Sequence, residues 1–495
     1  MGIKNMNYIR RLVVISILYA LFVQFFPEAT AVAAGSGTKD DPYIIHSVTD
    51  LKNIQPTGYY KLGADIDLSN ETNWIPIGYY PGSDFQGVLD GAGHTIRNLT
   101  YITNDSSLYG GILGDIAPDG IVKNLNLENI SITGSGQYYG ALVGWNSGTI
   151  DRVNVKIKKV EANSNIGGLA GGNDGTITNS SVDPFDDTSY VKSTAAYNSI
   201  GEVGGLVGHN MGIIDHSMSA VSVTSTSQGA GGLVGRNENY SGGNSIIRYS
   251  FATGNVHGYN WVGGLIGIGG GVENSYATGN VSGTTSNRID NAIGGLIGYY
   301  SGTTSKYLYS TGKVTGTSGA TTGGFLGISN PGTGRTAYLS HSYWDIESSG
   351  TNRYGTNYSG TLSSTPIGKT TSKMMDPTTF AGWDTTIWDI QSGKYPTLKG
   401  FISAPVLSSN ADLSNLTLNS GILSPSFTPD NVSYTVNVGN AVKDLDVTAT
   451  VADANATIQI KETEATSGQA TKVTLNVGVN IVTVQVTAQD GTKKT

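Results

Sequence analysis

The chain has 495 residues, a formal net charge of −8, 13% charged residues and 38% apolar ones. No basic cluster occurs beyond residue 11, so nucleic acid is excluded as a partner, because phosphate binding needs grouped Lys and Arg; the apolar share excludes a disordered chain. Cysteine is absent, which removes disulfides, thiolate nucleophiles and Cys-bound zinc.

In chain order, Lys4, Arg10 and Arg11 precede an apolar run over residues 12–26, and Ala31-Val32-Ala33 supplies the small residues a signal peptidase reads. Residues 1–33 therefore read as a signal peptide, with export expected and no membrane span left in the mature chain. Residues 34–100 read as an N-terminal cap and opening coils, with a first strand over 43–45 and a short helix over 47–54 whose N-cap is Ser47. Asp65, Asp67, Asp90 and His94 suggest a carboxylate site on an outer face. Asp90-Gly91 and Gly93-His94 are turn pairs, however, and Asp65 and Asp67 alternate with Ile66 and Leu68 as a strand requires. The structural reading is favoured.

From residue 101 to 340 one pattern recurs: a Gly pair, a short apolar run, a Gly, a polar turn, then a strand of small and aromatic residues ending in Val. It starts at Gly110, Gly140, Gly167, Gly204, Gly231, Gly263, Gly294 and Gly323, at spacings of 30, 27, 37, 27, 32, 31 and 29 residues. A period of this size marks a repeat architecture. The apolar runs are short, rich in Val, Ile and Tyr, and stop at Gly, Asn or Ser, which is strand chemistry. About thirty residues suit three short strands and three turns, one coil of a parallel β-helix, whereas a propeller blade takes about 40–45. About ten coils would make a monomeric rod roughly 50 Å long at the usual interstrand spacing.

Two columns follow from the repeat. Asn146, Asn173, Asn210 and Asn237 each stand six residues after the first Gly, so stacked coils would align them as an amide ladder; the rival reading is that Asn suits the turn. Met218, Phe251, Tyr276, Tyr309 and Tyr343 share another place. Period-two alternation leaves either face open to them. The small neighbours Ser250, Ala252, Ser275 and Ala277 favour a narrow interior, with Phe251, Tyr276, Tyr309 and Tyr343 as an outward ligand-contact stripe suited to sugar rings. Asp183, Asp186 and Asp187 sit in one insertion and could hold Ca²⁺, but they lack the alternating spacing of a calcium loop. A solvated acidic turn is favoured, and no metal or cofactor is expected.

The repeat GGLVGxNxGxI followed by SYATGxV resembles the GLUG motif of bacterial secreted and cell-surface proteins. The resemblance implies an extracellular β-solenoid, of the kind used in adhesion-type proteins and beside the catalytic domain of some IgA-cleaving metallopeptidases. The HExxH zinc signature of such peptidases is absent here, as are a nucleophile elbow and a phosphate-binding loop.

Residues 341–399 resemble the usual tail after GLUG repeats. They are expected to cap the solenoid, with Trp344, Trp383, Trp388 and Phe380 covering the last coil and one helical turn over 372–375; a tryptophan sugar site is the rival reading. Residues 400–411 read as a linker. Residues 412–495 alternate in short strands with Asn, Asp, Gly and Pro turns, as in a β-sandwich. Leu416, Leu418, Gly421, Leu423, Pro425, Phe427, Tyr434 and Val436 resemble the cadherin-like sandwich of bacterial surface proteins. That pattern normally continues past Asp490-Gly491, so the closing strand is expected to be missing.

The sequence thus predicts an all-β protein: a parallel β-helix followed by a small, truncated Ig-like sandwich. The expected role is non-catalytic and extracellular, at a bacterial, Gram-positive surface, with glycan or another surface protein as partner. A carbohydrate-active β-helix enzyme is the alternative, and a passive spacer the second.

Overall fold

The computed structural model describes residues 34–79, 82–104, 109–196, 200–238, 245–284, 291–302, 304–317, 319–400, 410–453, 456–488 and 492–495. The expected signal peptide, most of the expected linker and the Asp490-Gly491 turn lie outside them.

Residues 43–369 wind into a β-solenoid of about nine turns. Each full coil carries five short ladders, not three. One coil contains Gln137–Tyr139, Val143–Asn146 and the 14-residue strand Thr149–Ala162. The next coil matches that long strand with three separate ones, Thr176–Thr178, Ser181–Pro184 and Tyr190–Ser193, all parallel to it. Stacking puts the strands equivalent to Val143–Asn146 in a nine-stranded sheet and those equivalent to Gln137–Tyr139 in a seven-stranded sheet.

The extra bend has a local cause. Asn124, Arg152, Asn179, His216, Tyr249, Asn274, Tyr307 and His341 occupy one corner of successive coils, each with φ between 43° and 57°. This left-handed region costs an ordinary L-residue roughly 1 kcal/mol or more, and Asn less. A buried serine column follows the corner and offsets part of that cost. The hydroxyls of Ser180, Ser217, Ser250 and Ser275 donate to the carbonyl two residues back at 2.7–2.9 Å. Each also accepts a backbone N–H of the preceding coil at 3.1–3.2 Å. Ser250→Ala is therefore expected to strand the Ser217 amide in the interior, at a cost of about 1–3 kcal/mol. The check is the urea midpoint; an unchanged midpoint would mean the amide finds another acceptor.

The Gly pair makes the bend between the seven- and nine-stranded sheets. A Cβ on Gly204 would lie 2.0 Å from the Val207 carbonyl oxygen and 2.7 Å from the Gly235 nitrogen, so no side chain fits. The apolar pair that follows it fills the interior: Leu206, Val207, Leu233, Val234, Leu265 and Ile266 are fully buried. One coil cannot shield these alone, so the stack is the stable unit.

After the last coil come a helical turn over Thr371–Met374, a 3₁₀ turn over Pro377–Phe380, and an antiparallel ribbon of Trp388–Asp389 with Thr397–Leu398. This segment departs from its expected place. Met374, Phe380, Trp383, Trp388 and Leu398 pack along the flank, over Tyr276, Tyr309 and Tyr343 of three successive coils. Trp344 does not join them: it lies within the solenoid core, its ring beside Gly324 and Gly368. Residues Ser250, Ala252, Ser275 and Ala277 are fully buried and fill the interior. The aromatics beside them are turned outward, and an apolar flank of that kind needs a cover.

Asp345 ties the segment down. Its carboxylate caps the turn Ile346–Ser349 and accepts from the Thr371 hydroxyl at 2.8 Å and from the Tyr395 hydroxyl at 2.5 Å. The remaining residues form a three-stranded sheet (Leu413–Leu418, Asp444–Val451, Ala470–Thr474) and a four-stranded one (Thr457–Ile460, Thr463–Ala465, Val484–Thr487, Lys493–Lys494), both antiparallel. Leu445, Val447, Ala449, Ile458, Ile460, Val473 and Val486 share their core. Lys493–Lys494 pairs antiparallel with Val484–Thr487. Among the described residues no helix is long and apolar enough to cross a membrane.

Candidate functional site

The four asparagines form a hydrogen-bonded row. Nδ2 of Asn146 donates to Oδ1 of Asn173 at 2.7 Å, Asn173 to Asn210 at 2.6 Å, and Asn210 to Asn237 at 2.7 Å. Asn237 then donates to the Gly270 carbonyl, in the coil where Gly269 takes the asparagine's place. These amides are buried, and the links between them fix the register of the coils.

The aromatic column stacks, with centroids of Phe251, Tyr276 and Tyr309 4.8 Å apart and planes within 2° and 7°. The sequence makes it a ligand stripe, and the structure corrects this for three of its four rings. Tyr276, Tyr309 and Tyr343 are only 6%, 1% and 8% exposed beneath the 371–398 segment. The Tyr309 hydroxyl donates to the Pro396 carbonyl at 2.6 Å, and burial raises the phenols of Tyr276 and Tyr309 far above their ordinary value. Phe251 is half-buried. The tryptophan sugar site fares no better, since Trp383 and Trp388 are buried against the same tyrosines.

A different surface gathers chemistry. The outward columns of the seven- and nine-stranded sheets meet across the Gly-pair bend and form a furrow along the rod. The seven-stranded side contributes Tyr138, Asn165, Glu202, Gly229 and Trp261 in successive coils. The nine-stranded side contributes Asp115, Trp145, Gly172, His209, Arg236, Ile268 and Tyr299. Contacts cross it at three levels: Tyr138 and Trp145 with centroids 4.8 Å apart, Glu202 and Arg236 at 2.5 Å, and Trp261 and Tyr299 at 5.3 Å. Rings thus lie at both ends and charge lies in the middle.

The charged centre is closed on itself. Glu202, His209 and Arg236 are 3%, 6% and 7% exposed, unusual for an outward face. Arg236 donates from Nε to Glu202 and from Nη1 to Glu238 at 2.9 Å, and the Ser301 hydroxyl also reaches Glu238. His209 Nδ1 stands 3.9 Å from Glu202, yet burial outweighs that carboxylate and holds the imidazole below its ordinary pKa. Glu202, Arg236 and Glu238 thus hold one another in place within the furrow. Asp115, at the end of the furrow, differs: burial, with the charge of Asp84, pushes it up to about 7.

Family models match two parts of the chain, the GLUG motif over residues 226–256 and the cadherin-like beta sandwich domain over residues 413–495. The chain carries GLUG coils and a cadherin-like sandwich. Halomucin of Haloquadratum walsbyi is 39% identical over 160 residues, 29% of this chain and 2% of that protein. A protein of Evansella cellulosilytica described as "Putative Gly-rich membrane protein" is 34% identical over 156 residues, 29% of this chain and 18% of its own length. The immunoglobulin A1 protease of Streptococcus sanguinis is 30% identical over 232 residues, 44% of this chain and 11% of that protein. The matches thus span less than a fifth of each of these relatives.

Within the GLUG coils, the furrow positions fall two residues before and five after the first Gly of the repeat, apart from Tyr109 in the first. The sequence reading gave them no role, although that fixed offset was the available signal. Three of the carboxylates it did single out are spent locally. Asp65 meets His94 at 3.3 Å and the Thr95 amide at 3.0 Å, Asp67 accepts from Asn98 at 3.0 Å, and Arg97 reaches both. Asp186 is held by Lys158 at 2.6 Å and by Thr188. Asp90, Lys123, Asp151, Thr178, Asp215, Arg248, Glu273 and Lys306 align beside the left-handed corner. Opposite charges meet there at 3.2 Å (Asp90–Lys123), 2.6 Å (Asp215–Arg248) and 3.5 Å (Glu273–Lys306). An open hollow of 290 Å³ lined by Thr224, Asn255, His257, Asn280 and Ser282, among others, lies on another face, where His257 meets Ser282 at 2.9 Å.

Proposed function

We propose that the chain is an extracellular scaffold whose solenoid binds glycan along the furrow without cleaving it. The observation that carries this reading is the arrangement of rings at both ends of the furrow around a charged centre whose groups are paired with one another. Sugar-binding sites use aromatic faces for the apolar side of a pyranose and a few fixed polar groups for its hydroxyls. The apolar leader and the surface-type names of two relatives support a place outside the cytoplasm.

Asp115 favours a second reading, a carbohydrate-active enzyme, because a carboxyl titrating near neutrality beside another carboxylate suits a general acid. One experiment separates the two. The full chain is applied to a glycan array, and the glycans it retains are then incubated with it and assayed for new reducing ends. Retention without new ends is expected. New ends that disappear in Asp115→Asn would establish the enzyme, and no retention would leave the spacer.

A further inference from the structure

We propose that one end of the cadherin-like sandwich, where Ile422, Val477, Val479 and Ile481 project, docks on a lipid bilayer without selecting charged headgroups.

The strand register brings two loops to that end. Leu418 closes its strand opposite Val447, and the Asn419 amide donates to the Asp446 carbonyl at 3.2 Å. Thr474 pairs with Asp444, and the Leu475 amide donates to the Lys443 carbonyl at 2.8 Å. Residues 419–423 and 475–483 therefore leave the three-stranded sheet at one end, on either side of Asp444–Val451. The second loop enters the four-stranded sheet where the Lys461 amide donates to the Thr483 carbonyl at 2.9 Å.

Exposure sets this end apart. Ile422 is 85% exposed, Val477 86%, Val479 98% and Ile481 80%. Single bare aliphatic residues are ordinary on a surface, whereas a group of them marks a contact. The loop that carries three of the four is held in shape. The Asn480 side chain accepts from the Asn476 amide at 2.9 Å and donates to the carbonyls of Asn476 and Gly478 at 2.8 and 3.1 Å. With the backbone closed in this way, docking has little ordering left to impose.

Size and charge decide the occupant. Burying a Val or Ile side chain removes about 60–120 Å² of apolar surface, so four supply roughly 250–500 Å². A stable contact between two copies takes about 800 Å² from each. A bilayer needs no complementary shape, and apolar tips gain on entering it in proportion to their own area. Residues 419–429, 431–442 and 475–488 carry no charged side chain. The rim beside them is balanced, with Lys443 and Lys461 against Asp444 and Glu462. Such an end is neither drawn to anionic headgroups nor repelled by them.

The chain has no cysteine, so Val479→Cys takes a single environment-sensitive fluorophore. Gln469→Cys, exposed at the opposite end of the same sheet, is the reference. The full chain, labelled at either place, is mixed with vesicles of phosphatidylcholine, alone or with an equal share of phosphatidylglycerol, carrying spin-labelled lipid as quencher. The apolar run over residues 12–26 can itself hold the chain to vesicles, so the signal is read locally at each label. Quenching at residue 479 is expected to exceed that at 469 at least fivefold, equally in both vesicle types and at high salt. Adding Ile422→Asp and Ile481→Asp should remove most of it at an unchanged urea midpoint, because these side chains are almost wholly in solvent. Equal quenching at both labels, or none at 479, overturns the proposal. Quenching confined to the anionic vesicles does the same, since basic side chains would then make the contact. The patch is instead a contact between copies if the label at 479 reports an apolar setting in the protein alone, growing with concentration and lost in the Asp variants.

Discussion

Trp388→Ala is expected to cost about 3–5 kcal/mol, the usual range for deleting a fully buried tryptophan, and to lift the 371–398 segment from the solenoid flank. Trp388 is fully buried, sits 6.1 Å from both Tyr276 and Tyr309, and donates from its indole to Asn274 at 3.1 Å. Coils stabilise one another through neighbours, so the damage should stay local. Amide exchange should quicken over residues 371–398 and around Tyr276, Tyr309 and Tyr343, while residues 121–162 keep their protection. Uniform loss along the rod would refute the idea of a separable cover. Acid should act on the same seam through Asp345. Burial alone would raise its pKa, but the Tyr395, Thr371 and backbone hydrogen bonds outweigh it and hold the carboxyl low. A folded pKa below the unfolded value means the contribution is complete above about pH 4 and is lost as pH falls through the folded value. The cover should therefore loosen at acid pH, and Asp345→Asn should loosen it already at neutrality.

Arg236→Met is the second large effect, about 3–5 kcal/mol, because Glu202 is then left charged and nearly fully buried with its 2.5 Å partner gone. Replacing both, with Glu202→Leu beside Arg236→Met, should recover most of that loss, since a buried pair is often no better than an apolar one. The check is a double-mutant cycle by chemical denaturation. If the double variant is as unstable as the single one, the pair does more than neutralise itself.

The repeat made much of this legible. Gly pairs, apolar doublets and the asparagines at a constant offset are set by backbone geometry, which tolerates little variation, so stacking could be read directly. The five-ladder cross-section was not legible, because its corner is built from Arg, His, Tyr and Asn alike and is defined by φ rather than residue type. The alternating partners of the charged column were not legible for another reason: turns of different length precede it, so Asp215 stands 11 residues after its Gly, Arg248 17 and Glu273 10. The aromatic column was read in the right place, with small neighbours inward. What covers it comes from residues 371–398, and no local pattern announces a contact between Tyr309 and Pro396.

The alternation of sign beside the left-handed corner makes the coils non-interchangeable. Excising the coil that carries Arg248 would set Asp215 against Glu273, a like-charge pair directly opposed, and would take Asn237 from the end of the amide row. Loss of that single unit would thus cost the product an opposite-charge contact and the last link of the amide row.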